Sequence, residues 1–409
     1  MNNNGDSVLN KIMASQKLEE LAQLNVLEII NYLINNLNER ERDVIRRRYG
    51  LVDGKKEILE SIGKAHSLTR ERVRQIEVSS IDKLAKMKDL DKIKRLKKII
   101  IQIIEEHGGF MEKDYLFDVL VHFSTRGEGR REGEEAHQNS FDFLLSKILG
   151  DEFEVSAGNG KFKPFYKLSY AEISHLHDLI HELEQKISEK SEVLATHDMI
   201  DFIRDLESYA NNNQKYSVAK NIDLSGMLKN RIYQENYGKI NENKILYSLL
   251  RSAKNIEQNV FGHWGLAHWP EIRPKNINDK IYLILKNHGQ NLHFAEIAQK
   301  INEIGFDKKK ANIASIHNEL ILDKKYVLVG RGIYGLREWG LEKGTVADVI
   351  EEVLKTAAEP LSKDDIISRV LGKRIVKKTT IILALSNKNK FSRVGNKYSL
   401  AAVGAGELN

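Results

Sequence analysis

Leu68-Thr69-Arg70-Glu71-Arg72-Val73-Arg74-Gln75-Ile76-Glu77 decides how the rest of this chain is read. Thr69 can cap a helix, its hydroxyl taking a free N–H of the first turn. Behind it, Val73, Ile76, Ser80 and Leu84 recur at helical spacing, so one face can seat on a small core. The same period gathers Arg70, Glu71, Arg74 and Gln75 on another face. Those side-chain types reach base edges: Arg is bidentate to guanine, Gln to adenine, and Glu accepts from cytosine. A charged helix can equally present a solvated face with intrahelical ion pairs. What lies upstream decides between the two.

Working outward, residues 17–37 carry an apolar stripe that includes Leu18, Leu21, Leu24, Leu27, Ile30 and Leu33, and read as one long amphipathic helix. Residues 38–49 form a second helix bearing Arg40, Arg42, Arg46, Arg47 and Arg48, and Gly50 is a natural stop. A loop at 52–56 leads into a short helix, 57–65, that buries Leu59 and Ile62. The turn His66-Ser67-Leu68 then delivers the chain into the quoted stretch. Helix, short turn and basic second helix make a helix-turn-helix.

Composition sets the frame. A chain of 409 residues holds several domains, at roughly one per 100–200 residues. The absence of Cys excludes disulfides, thiolate zinc sites and Cys nucleophiles, and suits a reducing compartment; a cytoplasmic, nucleoid-associated protein is expected. No apolar run reaches transmembrane length, and the polar opening at 1–6 lacks a signal-peptide pattern, so no membrane partner is expected. Net charge is +6, with 19 Lys/Arg against 11 Asp/Glu between residues 38 and 98, so the remainder nets −2. The basic footprint of a nucleic-acid binder is therefore expected near the N-terminus.

The ordered run Leu37-Asn38-Glu39-Arg40-Glu41-Arg42-Asp43-Val44-Ile45, Arg48-Tyr49-Gly50-Leu51, Leu59-Glu60-Ser61-Ile62-Gly63-Lys64, Thr69 through Glu77, and Lys83-Leu84 resembles region 4 of primary bacterial RNA polymerase sigma factors. The resemblance implies binding to the −35 promoter element in the major groove and docking on the flap of the polymerase beta subunit. By motif position it assigns base reading to Arg70, Glu71, Arg74 and Gln75. It assigns phosphate contacts to Arg40, Arg48 and Arg72, helped by the backbone amides of Leu59 and Glu60 at a helix N-terminus. Ser61 stands where the family usually has a second acidic residue. Ser79 stands where it has a basic one, so contacts with upstream activators are not carried over. The module starts too near residue 1 for a promoter-melting segment to precede it, and the expectation is a chain that is not a complete sigma factor.

The rest of the sequence repeats. An aromatic-x-Leu signature recurs as Tyr166-Lys167-Leu168, Trp264-Gly265-Leu266, Tyr334-Gly335-Leu336 and Tyr398-Ser399-Leu400. Gly-containing turns precede several of these segments, including Gly158-Asn159-Gly160, Gly330-Arg331-Gly332 and Gly395-Asn396, as hairpin tips require. Three helices and such a hairpin make a winged helix. The third repeat, with residues 279–285, 292–297 and 330–339, resembles the HARE-type winged helix, a family that includes the delta subunit of bacterial RNA polymerase. The first repeat is the loosest match and is read as carrying a charged, Gly-rich insertion at 124–139. A long helix at 171–190 is expected to bridge the first two repeats.

The fold class expected is mainly α with short β-hairpin wings: a helix-turn-helix module followed by about four winged-helix modules. The boundaries are a disordered tail at 1–16, the sigma-like module at 17–98, and repeats at 99–170, 171–272, 277–340 and 341–402, with a tail at 403–409. A net of −2 outside the first module argues against strong phosphate binding by the repeats as a set. The fourth is the exception, where Lys373, Arg374, Lys377 and Lys378 cluster at the start of its expected third helix as a second candidate nucleic-acid contact. Repeats one to three are expected to meet protein.

No enzyme is expected. His177-Asp178-Leu179-Ile180-His181 puts two imidazoles one turn apart, but the Glu of a zinc-protease helix is replaced and no third ligand follows. Gly330-Arg331-Gly332 lies in a hairpin, away from any strand-to-helix turn, so it is no nucleotide fingerprint. No cofactor, metal or small-molecule substrate is implied. The expected function is that of a DNA-binding transcription factor which reads promoter-like duplex DNA and docks on RNA polymerase. The alternatives are a polymerase-binding adaptor or anti-initiation factor that does not read DNA, and a polymerase-independent DNA binder.

Overall fold

The computed structural model describes residues 25–125, 134–217, 221–229, 232–341, 344–357, 359–373 and 376–401. Both expected tails lie outside these residues, as do Leu18, Leu21 and Leu24 of the first stripe and Arg374 of the fourth repeat. The chain divides into two compact units, one reaching His268 and the other beginning at Trp269.

In the first unit, α1 (Val26–Ile34) is shorter than the helix expected over 17–37. Asn25 caps its start, accepting from the Leu27 amide at 3.0 Å. Two asparagines end it: the Asn36 amide donates to the Tyr32 carbonyl at 2.8 Å and competes with the backbone for the last turn. α2 (Glu39–Tyr49) opens on a capping box between Asn38 and Glu41 and stops at Gly50, whose φ of 60° is left-handed. α3 (Leu59–His66) starts two residues later than expected, because the Glu57 amide bonds back to the Arg47 carbonyl at 2.9 Å and Ile58 stays extended. α4 (Arg70–Ala85) is the quoted helix. Val44, Ile62 and Val73, all fully buried, form the core between α2, α3 and α4, with Leu59, Leu68 and Ile76 packed around it.

α5 (Asp91–Glu106) leads into a design that recurs four times among the described residues. Each occurrence runs helix, short strand, two helices, hairpin, and the second adds the short helices Glu207–Ala210 and Tyr237–Glu242 between those two helices. The first contains α5, β1 (Phe110–Glu112), α6 (Lys113–Ser124), α7 (Glu134–Phe143), β2 (Phe153–Ser156) and β3 (Phe165–Leu168). The second contains α8 (Ser174–Lys190), β4 (Leu194–Ala195), α9 (Thr196–Arg204), α10 (Lys244–Ser252), β5 (Ile256–Gln258) and β6 (His263–Leu266). The other unit holds the remaining two. One is α11 (Ile277–His288), β7 (Leu292–His293), α12 (Phe294–Ile304), α13 (Ile313–Leu322), β8 (Tyr326–Gly330) and β9 (Ile333–Leu336). The other is α14 (Val346–Thr356), β10 (Leu361–Ser362), α15 (Lys363–Lys373), α16 (Lys378–Leu385), β11 (Phe391–Val394) and β12 (Lys397–Leu400).

In every case the last strand is central, flanked by the short first strand and by its hairpin partner. The aromatic-x-Leu signature sets this register. Its aromatic faces an apolar residue of the short strand: Met111 opposite Tyr166, Leu194 opposite Trp264, Leu292 opposite Tyr334, and Leu361 opposite Tyr398. Its Leu faces the first residue of the preceding strand: Phe153, Ile256, Tyr326 and Phe391. Cross-strand apolar pairs of this kind are the unit of sheet stabilisation. Trp264 is 1% exposed and donates to Thr196 Oγ1 at 3.0 Å, while Trp339 packs on Val327 and Val329.

The charged, Gly-rich insertion read at 124–139 is described only in part. From Glu134 onward it is α7, with Ala136 and Ser140 buried; residues 126–133 lie outside the description. Its Asn139 amide donates to the Gly50 and Gly54 carbonyls at 3.2 and 2.8 Å, and Phe143 packs its ring 4.7 Å from that of Tyr49. Lys56 adds an ion pair with Asp142 at 3.2 Å, so the helix-turn-helix rests on the first repeat. Burial opposes ionisation of Asp142, but Lys113 and Tyr166 donate to it and hold its carboxyl below the usual range. The first two repeats join through Glu106, which accepts from Lys244 Nζ at 2.9 Å and from the Ile222 amide at 2.9 Å.

Candidate nucleic-acid interface

The turn between α3 and α4 is built on two backbone requirements. Ser67 is left-handed at φ 56°, and the Leu68 amide returns to the Gly63 carbonyl at 2.8 Å. A Cβ on Gly63 would lie 2.7 Å from the Leu68 carbonyl oxygen, so only glycine lets the turn pass that close. Thr69 caps α4 as expected, its hydroxyl accepting from the Arg72 amide at 3.2 Å.

Along α4, Val73, Glu77, Ser80 and Leu84 turn inward, and Arg70, Glu71, Arg72, Arg74 and Gln75 are exposed. The expected base-reading set is therefore together on the solvent face. Two of its members are mutually paired: Arg74 grips Glu71 through two bonds, Nε to Oε2 at 2.9 Å and Nη2 to Oε1 at 2.7 Å. Arg74 thereby lowers the Glu71 carboxyl from its ordinary range, and Glu71 raises the Arg74 guanidinium. Arg72 donates to Gln75 Oε1 at 3.1 Å.

Among the phosphate candidates, Arg40 is exposed in the first turn of α2, and Leu59 and Glu60 are the first two residues of α3. Ile58 ahead of them cannot cap, so no side chain occupies their amides. Arg48 is placed differently. It donates to Glu77 Oε1 at 3.3 Å and to the Glu57 carbonyl at 3.1 Å, bracing α4 and the 57–58 segment from behind. Glu77 also accepts from the Tyr49 phenol at 2.7 Å, and burial, then Glu77, push that phenol above its usual range. Sequence reasoning missed this brace, although Val73, Glu77, Ser80 and Leu84 step by four, three and four residues, the spacing of one helix face.

In the other unit, Lys373 ends α15 and pairs with Glu352 at 3.3 Å. Lys377 and Lys378, at the start of α16, are exposed.

Residues 33–86 match the family described as Sigma-70, region 4. Over this stretch the chain is similar to the RNA polymerase sigma factor SigA1 of Synechococcus elongatus, 46% identical over 66 residues, which is 16% of this chain and 16% of that protein. It is similar to RpoD of Helicobacter pylori, 44% identical over 81 residues, 20% of this chain and 12% of that protein. It is also similar to SigA of Lactococcus lactis, 46% identical over 57 residues, 14% of this chain and 16% of that protein. The matched part of the chain spans less than a fifth of the length of each of these relatives.

Charge is unevenly grouped within the −2 summed over everything outside residues 38–98. Residues 99–268 carry 19 Lys/Arg against 27 Asp/Glu, whereas residues 269–409 carry 24 against 16. An acidic middle lies between two basic blocks, and the single sum cancels them.

Proposed function

We propose that residues 33–86 read duplex DNA through α4 and dock on bacterial RNA polymerase, so that the chain acts in transcription initiation. The observation that carries this is the exposed row Arg70, Glu71, Arg74 and Gln75 on a capped helix, held from behind by Glu77, inside the stretch similar to Sigma-70, region 4. The target is a −35-like promoter element, and the polymerase contact is the beta flap. The row is offered to the major groove, where each bidentate base contact contributes about 1–3 kcal/mol of discrimination. Arg40, Arg72 and the amides of Leu59 and Glu60 hold phosphates. Arg48 acts chiefly by fixing α4. The four repeated sheets are read as winged helices of HARE type.

The test compares two variants by footprinting and anisotropy on −35-like and random duplexes. Arg74→Ala loses base preference, and Arg40→Ala weakens both duplexes alike. Equal losses on both duplexes for both variants exclude base reading. A second reading, a polymerase-binding adaptor that does not read DNA, is favoured by the Arg74–Glu71 and Arg72–Gln75 pairings, which occupy the reading side chains. It predicts polymerase binding that survives joint loss of Arg70, Arg74 and Gln75.

A further inference from the structure

The unit that begins at Trp269 is basic, and its basic residues are not spread evenly. Five of its lysines form ion pairs: Lys280 with Asp307 at 2.5 Å, Lys325 with Asp323 at 3.5 Å, Lys355 with Glu351 at 2.8 Å, Lys373 with Glu352 at 3.3 Å, and Lys390 with Asp348 at 2.7 Å. Two runs of adjacent lysines take no part in these pairs, and they occupy equivalent places in the two repeats. Lys308-Lys309-Lys310 form the turn between α12 and α13, and Lys377-Lys378 lead into α16. In each repeat that is the approach to the third helix. All five are exposed, and Lys308, Lys310, Lys377 and Lys378 have no carboxylate partner among the described residues.

The first of these turns has a fixed shape. The Lys309 amide donates to Asp307 Oδ1 at 2.9 Å, and Asn302 clasps Ala311 through both amide and carbonyl, at 2.7 and 3.1 Å. Asn312 then caps α13 through the Ala314 amide at 2.8 Å. The three lysine side chains thus leave a turn pinned by these bonds at Lys309 and Ala311. Each hairpin adds exposed cations: Arg331 at the tip between β8 and β9, and Arg393 and Lys397 on the β11–β12 hairpin.

We propose that this unit is a second DNA-binding surface which grips the phosphate backbone of duplex DNA without reading sequence, through Lys308, Lys310, Lys377 and Lys378. Like charges at the same place in two repeats suit a partner with repeating negative charge. Duplex DNA carries one charge per ~1.7 Å of axis and satisfies both repeats at once. The acidic residues 99–268 repel the same polyanion and take no part in this contact. Two weak attachments on one chain reinforce each other through effective concentration. The proposal stands apart from base reading by α4 and holds whether or not that reading is right.

The test uses the full chain with its four lysines changed together, K308Q/K310Q/K377Q/K378Q, and a fluorescent random-sequence duplex titrated between about 50 and 200 mM salt. At ~0.9 per phosphate contact, the slope of log K against log salt should fall in magnitude by about 3.6, and affinity near 100 mM salt should drop at least roughly tenfold. Thermal unfolding should be unchanged, since all four positions are exposed. A wild-type slope and affinity in this variant overturn the proposal. So does an unchanged slope together with lost self-association at low salt, which would assign the lysines to the acidic middle of a second copy. Joint loss of Arg70 and Arg74 reports separately on α4, because it alters preference for a −35-like site over random duplex and leaves the effect of the four lysines in place.

Discussion

The Tyr49 phenol donates to Glu77 at 2.7 Å, fastening the middle of the exposed reading helix to α2. Arg48 reaches the same carboxylate oxygen at 3.3 Å, so one nearly buried acid carries both bonds. Tyr49→Phe removes the shorter bond and leaves Arg48 in place. A hydrogen bond to a charged, largely buried partner contributes about 1.5–3 kcal/mol. The amides of α4 should therefore exchange with solvent roughly ten- to a hundredfold faster, while those of α13 are unchanged. Equal protection in the variant and the wild type would show that the bond does not hold α4.

Two helical glycines should respond to alanine with opposite signs. Alanine normally favours a helix over glycine by about 1 kcal/mol. At Gly372 in α15, nothing lies within 4 Å of the added Cβ, so Gly372→Ala should be neutral or stabilising by roughly 0.5–1 kcal/mol. At Gly63 the Cβ would meet the Leu68 carbonyl at 2.7 Å, and backbone cannot swing aside as a side-chain tip can. Gly63→Ala should destabilise the helix-turn-helix by about 1–3 kcal/mol and weaken DNA binding. Thermal melts of the two variants side by side test the pair. A Gly63→Ala protein as stable as the wild type refutes the close approach.

Much of this was legible because the signals were local. Thr69 and Gly50 announced a cap and a stop, and the four aromatic-x-Leu triplets announced four central strands, since each triplet needs apolar partners on both sides. The exposed row on α4 followed from helical period alone. What stayed hidden depended on contacts distant in sequence or on how charges were grouped. Glu77 reads as one more charged residue until Tyr49 and Arg48, nearly thirty residues earlier, converge on it. Residues 134–139 look like a polar insertion until Asn139 finds the Gly50 and Gly54 carbonyls. The lysines at 308–310 vanished into a sum that spanned an acidic stretch, 99–268, and a basic one, 269–409.

Acid should weaken the first unit through His107. Its ring is fully buried between the Ile103 carbonyl, at 2.6 Å, and the Tyr115 hydroxyl, at 3.1 Å. Burial chiefly, with Lys244 adding, holds it down at about 3 against the ordinary 6.5, although the Ile103 carbonyl pulls the other way. The unfolded chain therefore binds a proton below about 6.5 that the folded chain refuses. This stability is fully present above 6.5 and is lost as pH falls towards 3, at up to ~1.4 kcal/mol per pH unit. Asp118 works in the opposite direction. Burial first, with neighbouring carboxylates, raises it to about 6, so its contribution is lost as pH rises through that value. The two are separated by measuring His107→Gln against the wild type in urea at a series of pH values. The difference between them should shrink steadily from pH 6.5 to 4. A constant difference would mean that His107 titrates freely in the folded chain.

The Asn139 amide supplies bonds that the loop after α2 cannot make for itself. Gly50 and Gly54 both sit at positive φ, and a Cβ on Gly50 would lie 2.9 Å from the Asn139 Nδ2 atom. The loop has thus closed around that side chain. Asn139→Ala leaves two carbonyls without their donor, at a cost of about 1–3 kcal/mol if water does not replace it. Residues 50–56 should then lose hydrogen-exchange protection and become open to limited proteolysis. The Val44, Ile62 and Val73 core does not involve Asn139, so protection along α4 should persist and DNA affinity should change by less than about threefold, under 0.7 kcal/mol. Loss of protection in α4 together with the loop would instead mean that the first repeat is needed to fold the helix-turn-helix. Unchanged protection at 50–56 would mean that Asn139 merely touches it.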